Sequence, residues 1–393
     1  MKPPLSAAAA LFLLWIAGGN LRITMLAVPP VMPLIHEDLR LSETAVGVLN
    51  TLPLLLFAVA SVFGALLVAR LGSRNTLLIG LVLVAAGSAL RGAVLDTAFL
   101  FAMTFVMGIG IAVLQPTLPQ LVRDWQPQRI ALASAVYANG MLVWETISAA
   151  ATIPWLLPLL DQSWRLSFVA WSALAVLNIV LVLLLVPPRA APTAAEAAQP
   201  PRRWWPDWKN PLTWKGGLLF GSGASIYFTS NAFLPDFLQH TGRPELIGPA
   251  LATLNVAQLP GAALLLLVAP WLVGRRWPFF VIGGGCMLAI TVVTQADGIV
   301  LLAAIGVIGF LCAFVLGLSL ALPPLLAGPD DVHRLSAGMF TITYPVTVLV
   351  PVLGGLAWDL THRPAIVFAT SFCAALAVIA VVSTIRFPGH TRT

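Results

Sequence analysis

Apolar residues along this chain come in long unbroken runs. Segments such as AAAALFLLWIA, LVLLLVP and GAALLLLVAPWLV have no polar face and do not alternate. A helix that crosses a bilayer needs about 20 apolar residues, and runs near that length recur from end to end. They predict spans at 6–35, 43–69, 75–94, 97–122, 130–158 and 164–187. A second set falls at 212–239, 246–273, 277–295, 298–327, 334–360 and 364–386. A transmembrane β-barrel would show alternating segments of about ten residues instead. The expected fold is an all-α membrane protein with twelve transmembrane helices in two pseudo-symmetric six-helix bundles.

Between the two sets lies PPRAAPTAAEAAQPPRRWWPDWKNP, rich in Pro and Ala and without apolar periodicity in its first half. It reads as a cytoplasmic linker. The expected domains are 1–187, a bundle; 188–211, the linker; and 212–393, a second bundle. The halves echo each other at an offset of about 202 residues. LNTLP at 49–53 answers LNVAQLP at 254–260, and Ser134-Ala135 answers Ser336-Ala337. Pro33 and Pro235 are expected to end the first span of each half. Six spans per half give a parallel repeat about an axis along the membrane normal, the architecture of the major facilitators, in which substrate is expected between the halves. The loop ARLGSRN at 69–75 resembles that family's tight cytoplasmic turn, with Arg70, Gly72 and Arg74 matching and Ala69 in the place of an acid.

Composition agrees with a membrane chain. Of the residues, 59% are hydrophobic and 9% charged, where soluble proteins carry about 25% charged residues. The start imitates a signal peptide, but no small-residue cleavage site follows, so it reads as an uncleaved first span. A net charge of +6 would suit nucleic acid, but its placement follows topology. With the N-terminus cytoplasmic, fifteen Lys and Arg fall on the inner side and five, including Arg91, on the outer side. That bias predicts both termini inside, in a bacterial inner membrane. Cys286, Cys312 and Cys373 lie in separate spans and read as packing residues. No metal, cofactor, nucleic acid or enzymatic site is called for, and a monomer is expected.

Two charges interrupt the runs near span centres, Arg22 and Glu145. A charge there costs about 2.5–3.5 kcal/mol on insertion scales, so each needs a reason. A salt bridge tying the first span to the fifth is one reading. The other is an anion site, because the planar guanidinium donates paired hydrogen bonds to carboxylate-like groups. Glu145 is then a counter-ion or a proton-coupling group. Asn20, two residues from Arg22, should face another side of a continuous helix, and Gly18 and Gly19 leave room for a ligand or a close helix. Tyr137, Trp144 and Glu145 share one helical face, as do Tyr227 and Asn231. With Gln115, Gln258 and Tyr344 they complete the candidate substrate contacts, while Asn139, Asn255 and Thr341 are further cavity candidates.

GNLR at 19–22 with its exit VPPVMP, GIGIAVLQPTLPQLV at 108–122, WRLSFVAW at 164–171, and RLSAGM with GGLAWDLT in the eleventh span resemble the cyanate and nitroimidazole transporter branch of the major facilitators. That resemblance implies transport of a small solute, often an anion. The expectation is a secondary transporter working by alternating access, in proton-coupled import of a small anionic or electronegative solute. A uniporter, or efflux of small drug-like nitroaromatics, is the alternative.

Overall fold

The computed structural model describes residues 5–40, 43–94, 96–187 and 203–387. Among them every regular element is helical. Ten helical segments among the described residues are long and apolar enough to cross a membrane. Two further predicted spans correspond to Glu43–Leu71 and Pro211–His240, 29 and 30 residues long. The chain is a multi-pass membrane protein.

The first span is not one helix. It comprises α1 (Ala7–Asn20), a break at Leu21 and Arg22, the single turn α2 (Ile23–Leu26), a 3-10 turn at Pro29–Val31, and α3 (Met32–Leu39). At the break the amides of Leu21 and Arg22 donate to the carbonyls three residues back, those of Gly18 and Gly19. This tightening ends α1 as a 3-10 turn. Then come α4 (Glu43–Leu71), α5 (Ser73–Leu90), α6 (Thr97–Trp125) and α7 (Ile130–Ala151). A π-helical turn at Thr152–Leu156 leads from α7 into α8 (Leu157–Leu159), and α9 (Trp164–Leu185) follows.

The second half begins with α10 (Pro211–His240). Its eighth predicted span is again broken, at Ala257, between α11 (Ile247–Val256) and α12 (Gln258–Leu272). It continues with α13 (Trp277–Gln295), α14 (Gly298–Leu320), α15 (Leu322–Leu326), α16 (Val332–Thr361) and α17 (Val367–Thr384). The expectation that Pro33 and Pro235 end their spans needs correction. Pro33 lies in the first turn of α3, where a missing amide hydrogen costs nothing. Pro235 lies inside α10, which runs five residues further.

The helices pack into two compact units. One holds Met1–Asp207 with Ala327–Thr341, and the other holds Trp208–Leu326 with Ile342–Thr393. The start of α16 thus packs in the first unit and its remainder in the second. In the second unit Cys286 and Cys312 are buried against each other.

Candidate functional site

The candidate site in the first unit is built on a close helix crossing. A Cβ on Gly18 would lie 2.1 Å from the Tyr137 carbonyl oxygen, and one on Gly140 would lie 2.1 Å from that of Trp15. Only glycine lets α1 and α7 approach so closely. A Cβ on Gly19 would meet the Trp144 ring at 2.3 Å. The room that Gly18 and Gly19 provide is therefore filled by a helix. Above the crossing, Trp15 and Trp144 sit with ring centroids 5.4 Å apart, and Trp15 Nε1 donates to Asn139 Oδ1 at 3.0 Å.

The break then turns Arg22 toward Glu145. Nε of Arg22 lies 3.9 Å from Oε2 of Glu145, and the side chains are 17% and 14% exposed. At that separation the gross attraction is about 4 kcal/mol for an effective dielectric near 20. The distance exceeds a hydrogen bond. The contact balances charge without engaging the guanidinium in a paired hydrogen bond to this carboxylate, which is what a second anion would need.

Most of the other predicted residues of this unit lie deeper. Asn20 is fully buried and donates Nδ2 to the Ile16 carbonyl at 3.0 Å, while its Oδ1 is buried without a partner. Because α1 ends between Asn20 and Arg22, the helical angle does not govern their facing. Tyr137 and Gln115 are buried, at 1% and 4% exposure. Trp144 is partly exposed, with Nε1 buried and without a partner.

In the second unit Tyr227 Oη donates to Asn255 Oδ1 at 2.6 Å, and Asn255 Nδ2 donates to Asn231 Oδ1 at 3.2 Å. Asn231 also donates to the Tyr227 carbonyl, as their spacing of four predicts. Gln258 is buried directly after the break at Ala257, and Tyr344 is partly buried in α16.

Gly72 adopts φ +79° and joins α4 to α5. Arg74 Nε donates to the Val186 carbonyl, at the C-cap of α9, at 3.1 Å. Arg70 is exposed. Ser73 donates to Asp124 at 2.6 Å, and Gln120 donates to Asp124 at 2.9 Å and to the Pro329 carbonyl at 3.0 Å. Buried His333 donates its amide to the Gln120 side-chain oxygen. A network built on polar side chains and Asp124 thus holds this corner, where Ala69 stands in the place of an acid.

Sequence reasoning missed two residues. Trp15 lies seven residues, two helical turns, before Arg22, and an apolar run gives no reason to single it out. Arg91 reads in the sequence as an outer-loop charge, yet it is fully buried.

The chain matches the Major Facilitator Superfamily over residues 10–351. It belongs to that superfamily. Among major facilitators, it is similar to YycB, an uncharacterised transporter of Bacillus subtilis (strain 168), at 27% identity over 64% of this chain and 61% of that protein. It is 29% identical to the 2-nitroimidazole transporter of Escherichia coli (strain K12), over 63% of this chain and 62% of that one. It is 24% identical to the cyanate transport protein CynX of the same organism, over 65% of each. The alignments thus span less than two thirds of each relative. Among solved structures, the human organic anion transporter MFSD10 superimposes with a TM-score of 0.72, covering 97% of this chain and all of that one at 14% identity. The proton:xylose symporter XylE gives 0.70, covering 95% and 94%, also at 14%. These likenesses show the major-facilitator fold, and members of the superfamily are not enzymes.

Proposed function

We propose that this major facilitator is a secondary transporter that moves a small anion by alternating access, coupled to protons, inward across a bacterial inner membrane. The observation that carries the reading is Arg22 beside Glu145 at a helix break inside an apolar bundle. Arg22 binds the anion. Glu145 neutralises Arg22 when the site is empty and takes a proton when the anion arrives, so that net charge in the low-dielectric interior stays constant. Trp144 packs with Trp15 and Trp171 against Ile16, Ile23 and Leu174, and the part of its ring that stays exposed is the proposed aromatic contact for a small planar solute. Asn20, Tyr137 and Gln115 support the site from the packed interior. In the second half, Tyr227, Asn231, Gln258 and Tyr344 are the proposed polar contacts.

Two six-helix halves, 1–187 and 212–393, joined by 188–211, form the proposed domains, with both termini cytoplasmic. The inner-side excess of Lys and Arg supports that orientation. A monomer suffices for this scheme.

The names of the relatives suggest cyanate and 2-nitroimidazole as trial solutes. Uptake into proteoliposomes is measured for cyanate, thiocyanate, formate, nitrate and neutral 2-nitroimidazole, with and without an inward proton gradient. The expected result is gradient-driven uptake of at least one anion. Arg22→Ala should raise KM by about tenfold or more, the loss of a charge-assisted hydrogen bond. Glu145→Gln should abolish the response to the gradient. Preference for 2-nitroimidazole, with no effect of Arg22→Ala, would favour the stacking surface of Trp15 and Trp144 and the drug-like alternative.

A further inference from the structure

Arg91 has no part in the site described so far, yet it is fully buried at the C-cap of α5. Its Nη2 donates to the Thr24 carbonyl at 2.8 Å and lies 3.2 Å from Ser88 Oγ, while its Cζ sits 3.9 Å from the centroid of the Phe168 ring. One guanidinium therefore joins α2, α5 and α9. Among the described residues no acid pairs with it, and Nε, Nη1 and the neighbouring Thr24 hydroxyl are buried without partners. A cation this poorly compensated is poor adhesive for a bundle, since apolar side chains fill such a place at least as well. What an apolar side chain cannot do is hold a main-chain carbonyl.

The carbonyl it holds belongs to the one turn that carries Arg22. Thr24 is the second residue of α2, Arg22 caps that turn, and the amides of Met25 and Leu26 both donate to the Arg22 carbonyl. Fixing Thr24 therefore fixes the Arg22 main chain. On the inner side α1 is held against α7 by the glycine crossing. On the outer side Asp38 of α3 accepts from Trp164 Nε1 at 2.7 Å and lies 3.8 Å from Arg165. Val28, Val31 and Ile35 pack there against Leu157, Trp164 and Phe168. The break lies between these two fastenings, and Arg91 is the fastening point two residues from Arg22.

We propose that Arg91 is a positioning residue for the anion site: by holding the Thr24 carbonyl it sets the break that presents Arg22 to Glu145 and to substrate. The inference rests on the reading of Arg22 as the anion-binding group. Uptake is measured with whichever panel anion has the lowest KM in the unsubstituted chain. Arg91→Met should raise KM about tenfold with Vmax changed less than about twofold, and Arg91→Lys, which still donates to a carbonyl, should recover most of the loss. In an Arg22→Ala background Arg91→Met should change KM less than about twofold, because a residue acting through Arg22 has nothing left to position. If the effects of Arg22→Ala and Arg91→Met multiply, or if only Vmax falls, Arg91 does not act through Arg22 and the proposal is overturned. If Arg91→Met does not fold, the same cycle run with the polar but uncharged and shorter Arg91→Gln decides it: a KM shift that vanishes on Arg22→Ala supports the proposal, and no shift or an additive one overturns it. An Arg22→Ala chain with unchanged KM refutes the anion site itself, and this inference with it. An effect of Arg22→Ala without one from either Arg91 variant refutes this inference alone.

Discussion

A guanidinium inside an apolar bundle needs either a counter-charge or enough oriented dipoles, and Arg22 and Arg91 illustrate the two cases. Arg22 has Glu145 at 3.9 Å. Removing one partner of a buried ion pair costs about 3–5 kcal/mol because the other is left uncompensated, whereas removing both is often neutral. The pair retains some exposure, so the lower end applies. Thermal unfolding in detergent should therefore show Glu145→Ala less stable than the double variant Arg22→Ala/Glu145→Ala, and the opposite order would mean that the two do not compensate each other. Arg91 relies on dipoles, a carbonyl, a hydroxyl and an aromatic face. Arg22 and Glu145 were legible because a charge in the middle of an apolar run must be either paired or functional. Arg91 was not, because an Arg followed by Gly at the end of a run reads as a loop charge, and only folding shows the chain drawing it inward.

The helices were readable from apolar length, but their interruptions were not. Gly18 and Gly19 mark the α1–α7 crossing, while the break falls two residues later, at Leu21 and Arg22, where side-chain propensity gives no signal. Anchors distant in sequence place it there: the Tyr137 and Gly140 backbones on one side, Arg91 and Trp164 on the other. The break at Ala257 was equally silent. The crossing itself makes a direct prediction. Gly18→Ala and Gly140→Ala each force a methyl into a carbonyl oxygen 2.1 Å away, and overpacking of this kind costs about 1–3 kcal/mol. Each should lower the unfolding midpoint in detergent, and the two together should cost less than their sum, because separating the helices relieves both clashes. Unchanged midpoints would mean that the helices do not cross so closely.

At the scale of the whole chain the sequence carried the family and the all-helical membrane fold, since both rest on long apolar runs and on motif order. It did not reveal that α16 divides its packing between two units, which depends on contacts no local pattern encodes. Orientation is open to a direct test at three exposed positions, Gln128, Gln162 and Glu245. In a chain lacking its native cysteines, Gln128→Cys should be shielded from an impermeant maleimide in intact cells, while Gln162→Cys and Glu245→Cys should be labelled; the reverse pattern would invert the topology. One further feature bears on origins. Gly72 and Gly274 both take φ near +80°, and Arg74 and Arg276, 202 residues apart, each donate Nε to the carbonyl that ends the last helix of their own half, Val186 and Ile385. Arg22 has no such twin: residue 224 is Ala. The corner is thus shared between the copies where the charge within the span is not, the mark of a duplicated ancestor whose halves kept a common frame at the corner and diverged within the spans.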